Sequence, residues 1–281
     1  MKATIKLSTP LFDGVKSHFG PLSNSTVKSW IKTGRITVNG QVKTDPRLLL
    51  QPNDSLQLLQ KKKLLYPGVE ILYEDKQCIV VTKPYGLLSV DSLDPEEISL
   101  HAILKEYLYP NKVYPVQRLD EGTSGVMVYA IDSEFKEKLK EQFHDHTITR
   151  QYHAIVMGTL DQKKGRWKNF LREDKKYFVH IIDRPGEEAI TDYEILKEKN
   201  GLSFVNFTLH TGRKNQIRVQ AAHHGIPILG DLKYGPSDQP NYFRLSLHAH
   251  TLEFFHPVLE KKLHFHVKTP FSLDTLYLPP R

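Results

Sequence analysis

The sequence predicts an α+β protein in two parts, a small basic αα-hairpin with a β-ribbon followed by a larger domain built on a mixed, largely antiparallel sheet. Three observations predict it. Apolar residues recur at helical spacing twice before residue 35 and are followed by a hairpin turn; from residue 69 onward, runs of strand length alternate with helical stripes; and the excess positive charge is confined to the first quarter of the chain.

In chain order, Thr9 with Pro10 reads as an N-cap followed by proline at the first helical position, and Phe12, Val15 and Phe19 share one face until Gly20-Pro21 stops the helix. Ser25 reads as the cap of a second helix, with Val27, Trp30 and Ile31 inward and Gly34 at its C-terminal end. Residues 36–38, the pair Asn39-Gly40 and residues 41–43 then read as a tight hairpin. The segment QKKKLLYPG marks a boundary, giving domains 1–66 and 67–281. Beyond it, 79–81 and 126–131 are apolar strand-length runs, and 204–210 alternates Val205, Phe207 and Leu209 with polar neighbours. Leu100, Ile103, Leu104, Tyr107 and Leu108 have helical spacing up to Pro110, as do Phe135, Leu139 and Phe143. These stripes read as core and carry no chemistry.

Composition bounds the function. The 281 residues carry 39 Lys and Arg against 32 Asp and Glu, a formal +7. Residues 1–66 alone hold eleven basic and three acidic side chains, a formal +8, and the rest of the chain balances at −1. A compact basic unit is the footprint of polyanion binding, because each phosphate contact releases condensed counterions; the plainer alternative is a solvated surface. No stretch approaches the roughly 18 apolar residues of a membrane span, and the N-terminus lacks the apolar run of a secretory signal, so a soluble, cytoplasmic protein is expected. The single cysteine, Cys78, permits no intramolecular disulfide and no cysteine-based zinc site, and reads as a small buried hydrophobe.

Three segments set polar, charged and glycine residues against apolar strands. In the first, Gln117-Arg118-Leu119-Asp120-Glu121-Gly122-Thr123-Ser124-Gly125, a carboxylate stands at the mouth of the strand VMVYAI, where it is costly to hold without a stabilising partner. A surface ion pair between Arg118 and Asp120 is the alternative. The second is the strand 150–158 with Tyr152, by default a half-buried sheet residue. In the third, a strand ends in Thr211-Gly212 and a helix follows, with Ile217 and Ala221 inward and Arg213, Lys214 and Arg218 clustered in its first turns. That is either an anion site at a helix N-terminus or a solvated basic face. His248-x-His250, His264-x-His266 and His223-His224 raise a metal reading, but alternate strand residues share a face and suit sheet packing equally.

These segments resemble the RluA family of pseudouridine synthases. Arg-Leu-Asp-x-x-Thr-Ser-Gly matches 118–125, the tyrosine strand 150–158, and Thr-Gly-Arg-x-x-Gln-Ile-Arg with its Gly-x-Pro-Ile-x-Gly-Asp continuation 211–231; Lys83-Pro84-x-Gly86, Leu247-His248-Ala249 and His256-Pro257 add support. The similarity spans roughly residues 70–270. Residues 9–60 resemble the S-four-type RNA-binding domain, whose second helix and ribbon form a basic RNA face; Lys28, Lys32, Arg35 and Lys43 occupy that stretch.

The resemblance implies an isomerase that converts uridine in RNA to pseudouridine without a cofactor or metal. It implies that Asp120 is the catalytic carboxylate, acting as a nucleophile or by removing a ribose proton. It implies that Arg218 pairs with Asp120 and holds it in place, and that Tyr152 stacks on the flipped base and is available as a general acid or base. Arg118 would fill the vacated space, and Arg213 and Lys214 would join the RNA contacts. Expected partners are rRNA or tRNA, with the protein a monomer. Gln117 and Asn215 stand where the family usually has histidine; they read as altered supporting or RNA contacts that leave catalysis intact. A non-catalytic RNA-binding descendant of the family is the main rival.

Overall fold

The computed structural model describes residues 2–32, 35–58, 65–92, 94, 96–239, 242–274 and 276. By its own contacts the chain divides into two compact units, Met1–Lys63 and Leu64–Arg281.

The first unit runs β1 (Lys2–Thr4), β2 (Thr9–Pro10), α1 (Leu11–His18), α2 (Asn24–Lys32), β3 (Ile36–Val38), β4 (Gln41–Val42), β5 (Leu49–Leu50) and β6 (Ser55–Leu58). Its sheet has the order β1-β6-β3-β4, and β2 pairs with β5. Leu11, Val15, Val27, Ile31, Ile36 and Leu56 form its core, so the helical stripes face inward as their spacing predicts. The turn pair takes the two positive φ angles of a tight hairpin, +53° at Asn39 and +81° at Gly40. Two caps differ from expectation. Thr9 does not cap α1, because Thr9 and Pro10 are drawn into pairing with Leu50 and Leu49. Ser23 rather than Ser25 caps α2, accepting from Thr26 N–H at 3.1 Å. Gly34 lies outside the described residues.

The second unit contains β7 (Ile71–Glu74), β8 (Cys78–Lys83), α3 (Leu100–Leu108), β9 (Tyr114–Pro115), β10 (Ser124–Ala130), α4 (Ser133–His144) and β11 (Thr149–Met157). It continues through β12 (Lys164–Glu173), β13 (Val179–Ile182), β14 (Glu187–Lys199), β15 (Leu202–Leu209), α5 (Gln216–His223), β16 (Leu247–His256) and β17 (Lys261–His266). The sheet order is β13-β12-β14-β15-β11-β16-β10-β8-β7, with β17 on β16 and β9 on β10. Among the described strands of this sheet β10 and β16 pair in parallel and the other pairs are antiparallel, so the sheet is mixed and largely antiparallel. The two-residue period of β10 sends Met127 and Tyr129 to the face covered by α3 and α5, and Val126, Val128 and Ala130 to the face covered by α4. The cavity described next opens on the α5 side.

Candidate active site

Asp120 lies in the loop between β9 and β10, and that loop is clamped from two sides. Lys83, 1% exposed, donates from Nζ to the carbonyls of Pro84 (3.1 Å), Leu87 (2.5 Å) and Glu121 (2.9 Å), one acceptor for each ammonium proton. Burial pulls this ammonium down to about 7, against the charges of Asp120 and Glu121, which favour protonation. Ser89 Oγ donates to the Leu119 carbonyl at 2.6 Å and accepts its N–H at 3.0 Å. The loop then enters β10 through Gly125 at φ +131°, where a Cβ would fall 2.2 Å from the Ala249 carbonyl oxygen. Only glycine admits so close an approach.

The Gln-Ile-Arg run works as three successive side chains with three destinations. Gln216 is buried and donates to Thr191 Oγ1 (2.8 Å) and the Ile190 carbonyl (3.1 Å), which locks α5 to β14. Ile217 enters the core. Arg218 turns to the cavity, where Nε and Nη2 donate in a fork to Asp231, each at 2.8 Å, and Nη1 donates to Asp120 Oδ2 at 3.0 Å. Burial acts against this guanidinium, but the hydrogen bonds and charges of Asp231 and Asp120 outweigh it and raise its pKa further. Asn215, at φ +52°, donates from Nδ2 to the same Asp120 oxygen at 2.6 Å and accepts from Tyr234 OH at 3.1 Å.

Asp120 therefore pairs with Arg218, and the alternative ion pair with Arg118 does not form; Arg118 is exposed at the rim. Tyr152, 8% exposed, lines the same cavity of about 490 Å³ and makes no hydrogen bond among the described residues. Burial raises its phenol, Arg150 opposes this, and Asp120 adds to it, so the side chain is a neutral phenol at physiological pH. The cavity joins a fixed carboxylate, a neutral phenol and a guanidinium over apolar Leu209 and Leu247. Such a set can attack or deprotonate a ribose while an aromatic face holds the base.

Other expected residues are placed differently. Arg213 and Lys214 precede α5 instead of opening it, and both have carboxylate partners: Arg213 Nη1 donates to Glu187 at 2.9 Å, and Lys214 pairs with Glu173. In the first unit Lys28 is exposed, Arg35 stacks over Trp30 at 4.8 Å, and Lys43 donates to Gln41 at 3.1 Å. The side chain of Lys32 lies outside the described residues.

Sequence reading assigned no role to Asp231, and it took Asn215 for a supporting contact although it touches Asp120 directly. The Gly-Asp ending of the 211–231 match was the available signal for Asp231. Among the described residues the paired histidines do not gather as metal ligands; His153 stacks on His250 at 3.7 Å, and His250 Nε2 donates to Asn206 Oδ1 at 2.9 Å. Asp75, Cys78 and His256 do lie close together. Their donors are already engaged, His256 Nε2 with Asp75 at 3.0 Å and Nδ1 with Leu259 N–H at 3.1 Å, and burial pushes the Cys78 thiol up, away from the thiolate a metal needs.

Fold and cavity define a mixed-sheet protein with a carboxylate–guanidinium pair and a phenol in one cavity, and comparison with known proteins gives its family. Residues 77–223 match the RNA pseudouridylate synthase family, and the chain belongs to it. It is 30% identical to the ribosomal large subunit pseudouridine synthase D of Vibrio cholerae, over 98% of this chain and 92% of that one. It is 31% identical to the dual-specificity RNA pseudouridine synthase RluA of Haemophilus influenzae, over 76% of this chain and 99% of that one. The structure of human RNA pseudouridylate synthase domain containing 4 superimposes with a TM-score of 0.60 at 27% identity, covering 74% of this chain and 91% of that one. Within the family this chain is an RNA pseudouridine synthase of the RluA type.

Proposed function

We propose that this pseudouridine synthase acts on one or a few uridines in structured rRNA or tRNA, with Asp120, Arg218 and Tyr152 as its working groups. The observation that carries the reading is the Asp120 carboxylate, fixed by Arg218 and Asn215 in a cavity that also holds the Tyr152 phenol. The target uridine leaves the RNA stack, at a cost of a few kcal/mol, and its base lies against Tyr152. Asp120 then either attacks the ribose C1′ or removes the C2′ proton, and the N1–C1′ bond breaks. The uracil turns, C5 joins C1′, and the C5 hydrogen leaves as a proton. Arg218 holds the carboxylate in register throughout. Arg118 at the rim occupies the space the base has left.

The basic first unit, an S-four-like domain over about residues 1–66, supplies the phosphate contacts through Lys28, Lys32, Arg35 and Lys43, and RNA shape is read in loops rather than in the narrow A-form groove. The enzyme works as a cytoplasmic monomer. No helix among the described residues is long and apolar enough to cross a membrane.

The test uses RNA carrying tritium at uridine C5. Wild type releases tritium and Asp120→Ala releases none above background; equal absence in both would leave only the RNA-binding descendant. Release is insensitive to a strong chelator. Loss with chelator and rescue by zinc would overturn the metal-free reading.

A further inference from the structure

Arg150 is the anomaly of the cavity. It is 8% exposed and lines the same space as Asp120 and Tyr152. Among the described residues it has no carboxylate partner and no hydrogen-bond acceptor, and its Nε is wholly buried without one. The ring it stacks on is Phe143, whose face lies 5.5 Å from the guanidinium carbon. Every other buried guanidinium contact in this cavity is matched, as Arg218 shows with two carboxylates. A buried cation left this way is costly to hold, and a fold that only needed packing would put an apolar side chain there.

The surroundings make room for it and leave its field unopposed. Gly212 has no side chain where a Cβ would meet Arg150 Nη1 at 2.5 Å. His146, also lining the cavity, is lowered by burial and by the charges of Arg150 and Arg213. Gln117 Nε2 is a second buried donor without an acceptor on the same wall. One end of the cavity thus presents donors and positive charge with nothing to receive them.

We infer that Arg150, with Gln117 beside it, is a subsite for a phosphodiester of the RNA backbone at the flipped nucleotide. This rests on the proposed reading that the cavity takes a uridine. Arg150 and Tyr152 are alternate residues of β11, both buried on one side, and alternate strand positions lie about 7 Å apart. A base held against Tyr152 therefore has the guanidinium about one nucleotide's breadth away, a span that its own sugar and phosphate can bridge. A fork of N–H donors matches two phosphate oxygens.

The experiment compares full-length wild type, Arg150→Met and Arg150→Lys by RNA affinity over a series of salt concentrations, single-turnover tritium release and thermal melting. Arg150→Met weakens binding about 10- to 100-fold, as loss of a charge-assisted hydrogen bond implies. It also flattens the slope of log affinity against log salt by about 0.7, the share of one phosphate contact on a single strand. Its melting temperature stays level or rises, because no internal pair is lost. Arg150→Lys keeps the slope and loses part of the affinity. A lower melting temperature with an unchanged salt slope would make Arg150 structural and overturn the proposal. A slower rate at saturating RNA with an unchanged slope would place the contact on the uracil carbonyls and overturn it as well. The salt slope is readable whether or not wild type releases tritium, so failure of the catalytic reading shows separately.

Discussion

Replacing Arg218 by methionine separates what the arginine does for the fold from what it does for the carboxylate. The change leaves Asp231, 1% exposed, without its forked partner, and Asp120 without its cation. Breaking a buried ion pair by removing one member costs about 3–5 kcal/mol, since the remaining charge is stranded. For a unit of this size that lowers the melting temperature by about 6–20 °C. A second change, Asp231→Asn, removes the stranded charge while keeping an oxygen to accept the N–H groups of Lys233 and Tyr234, which lie at 3.0 and 3.1 Å from Asp231 Oδ1. The double variant therefore recovers most of the melting temperature. It does not recover activity, because the bond from Nη1 to Asp120 is gone; a charge-assisted hydrogen bond of about 1.5–3 kcal/mol corresponds to a loss of about 10- to 150-fold in kcat/KM. Scanning calorimetry and tritium release measure the two quantities on the same samples. An Arg218→Met protein that melts with wild type, or a double variant that regains both stability and activity, would refute the reasoning.

Two further outcomes follow from the geometry. Tyr152→Phe removes a hydroxyl with no internal partner, so stability stays within about 0.5 kcal/mol, while kcat falls by about 10²- to 10⁴-fold if the phenol transfers a proton; unchanged kcat would reduce Tyr152 to a stacking surface. The histidine cluster on the sheet sets a pH dependence. Burial lowers His153 to about 4 and His248 and His250 to about 3, with neighbouring cations and imidazoles adding to it, so the folded protein resists protonation that the unfolded chain accepts near 6.5. Their contribution is complete above about pH 6.5 and is lost as pH falls towards about 4 for His153 and about 3 for His248 and His250. The melting temperature declines across that window, and His153→Gln/His250→Gln declines less steeply; parallel curves for variant and wild type would exclude the cluster as the cause.

Much of the architecture was legible because it is local. The helical stripes at Phe135, Leu139 and Phe143, the alternation from Val205 to Leu209 and the Asn39-Gly40 turn each declare their period or their backbone angle within a few residues. The caps were less legible: PLSNST offers several side chains able to cap α2, and only the hydrogen bond to Thr26 selects Ser23. At the site, Asp120 and Arg218 were found through their motifs, although 98 residues separate them. Asp231 escaped notice because a buried carboxylate and a solvated loop carboxylate are the same letter. Arg213 and Lys214 were read as part of an anion site or a solvated basic face, and their carboxylate partners, 26 and 41 residues upstream, are fixed only by strand pairing. Lys83 hid its function inside a short Lys-Pro turn, since three backbone carbonyls as partners leave no trace in side-chain identity.

The fork between Arg218 and Asp231 has a consequence for charge during turnover. Two carboxylates around one guanidinium leave a single negative charge at rest, and that charge belongs to Asp120. On the proposed reading Asp120 gives it up, to the sugar or to a proton, and the arginine is then still paired with Asp231. At the fork itself the guanidinium is never left bare, which leaves Arg150 as the buried cation of that cavity without a carboxylate among the described residues.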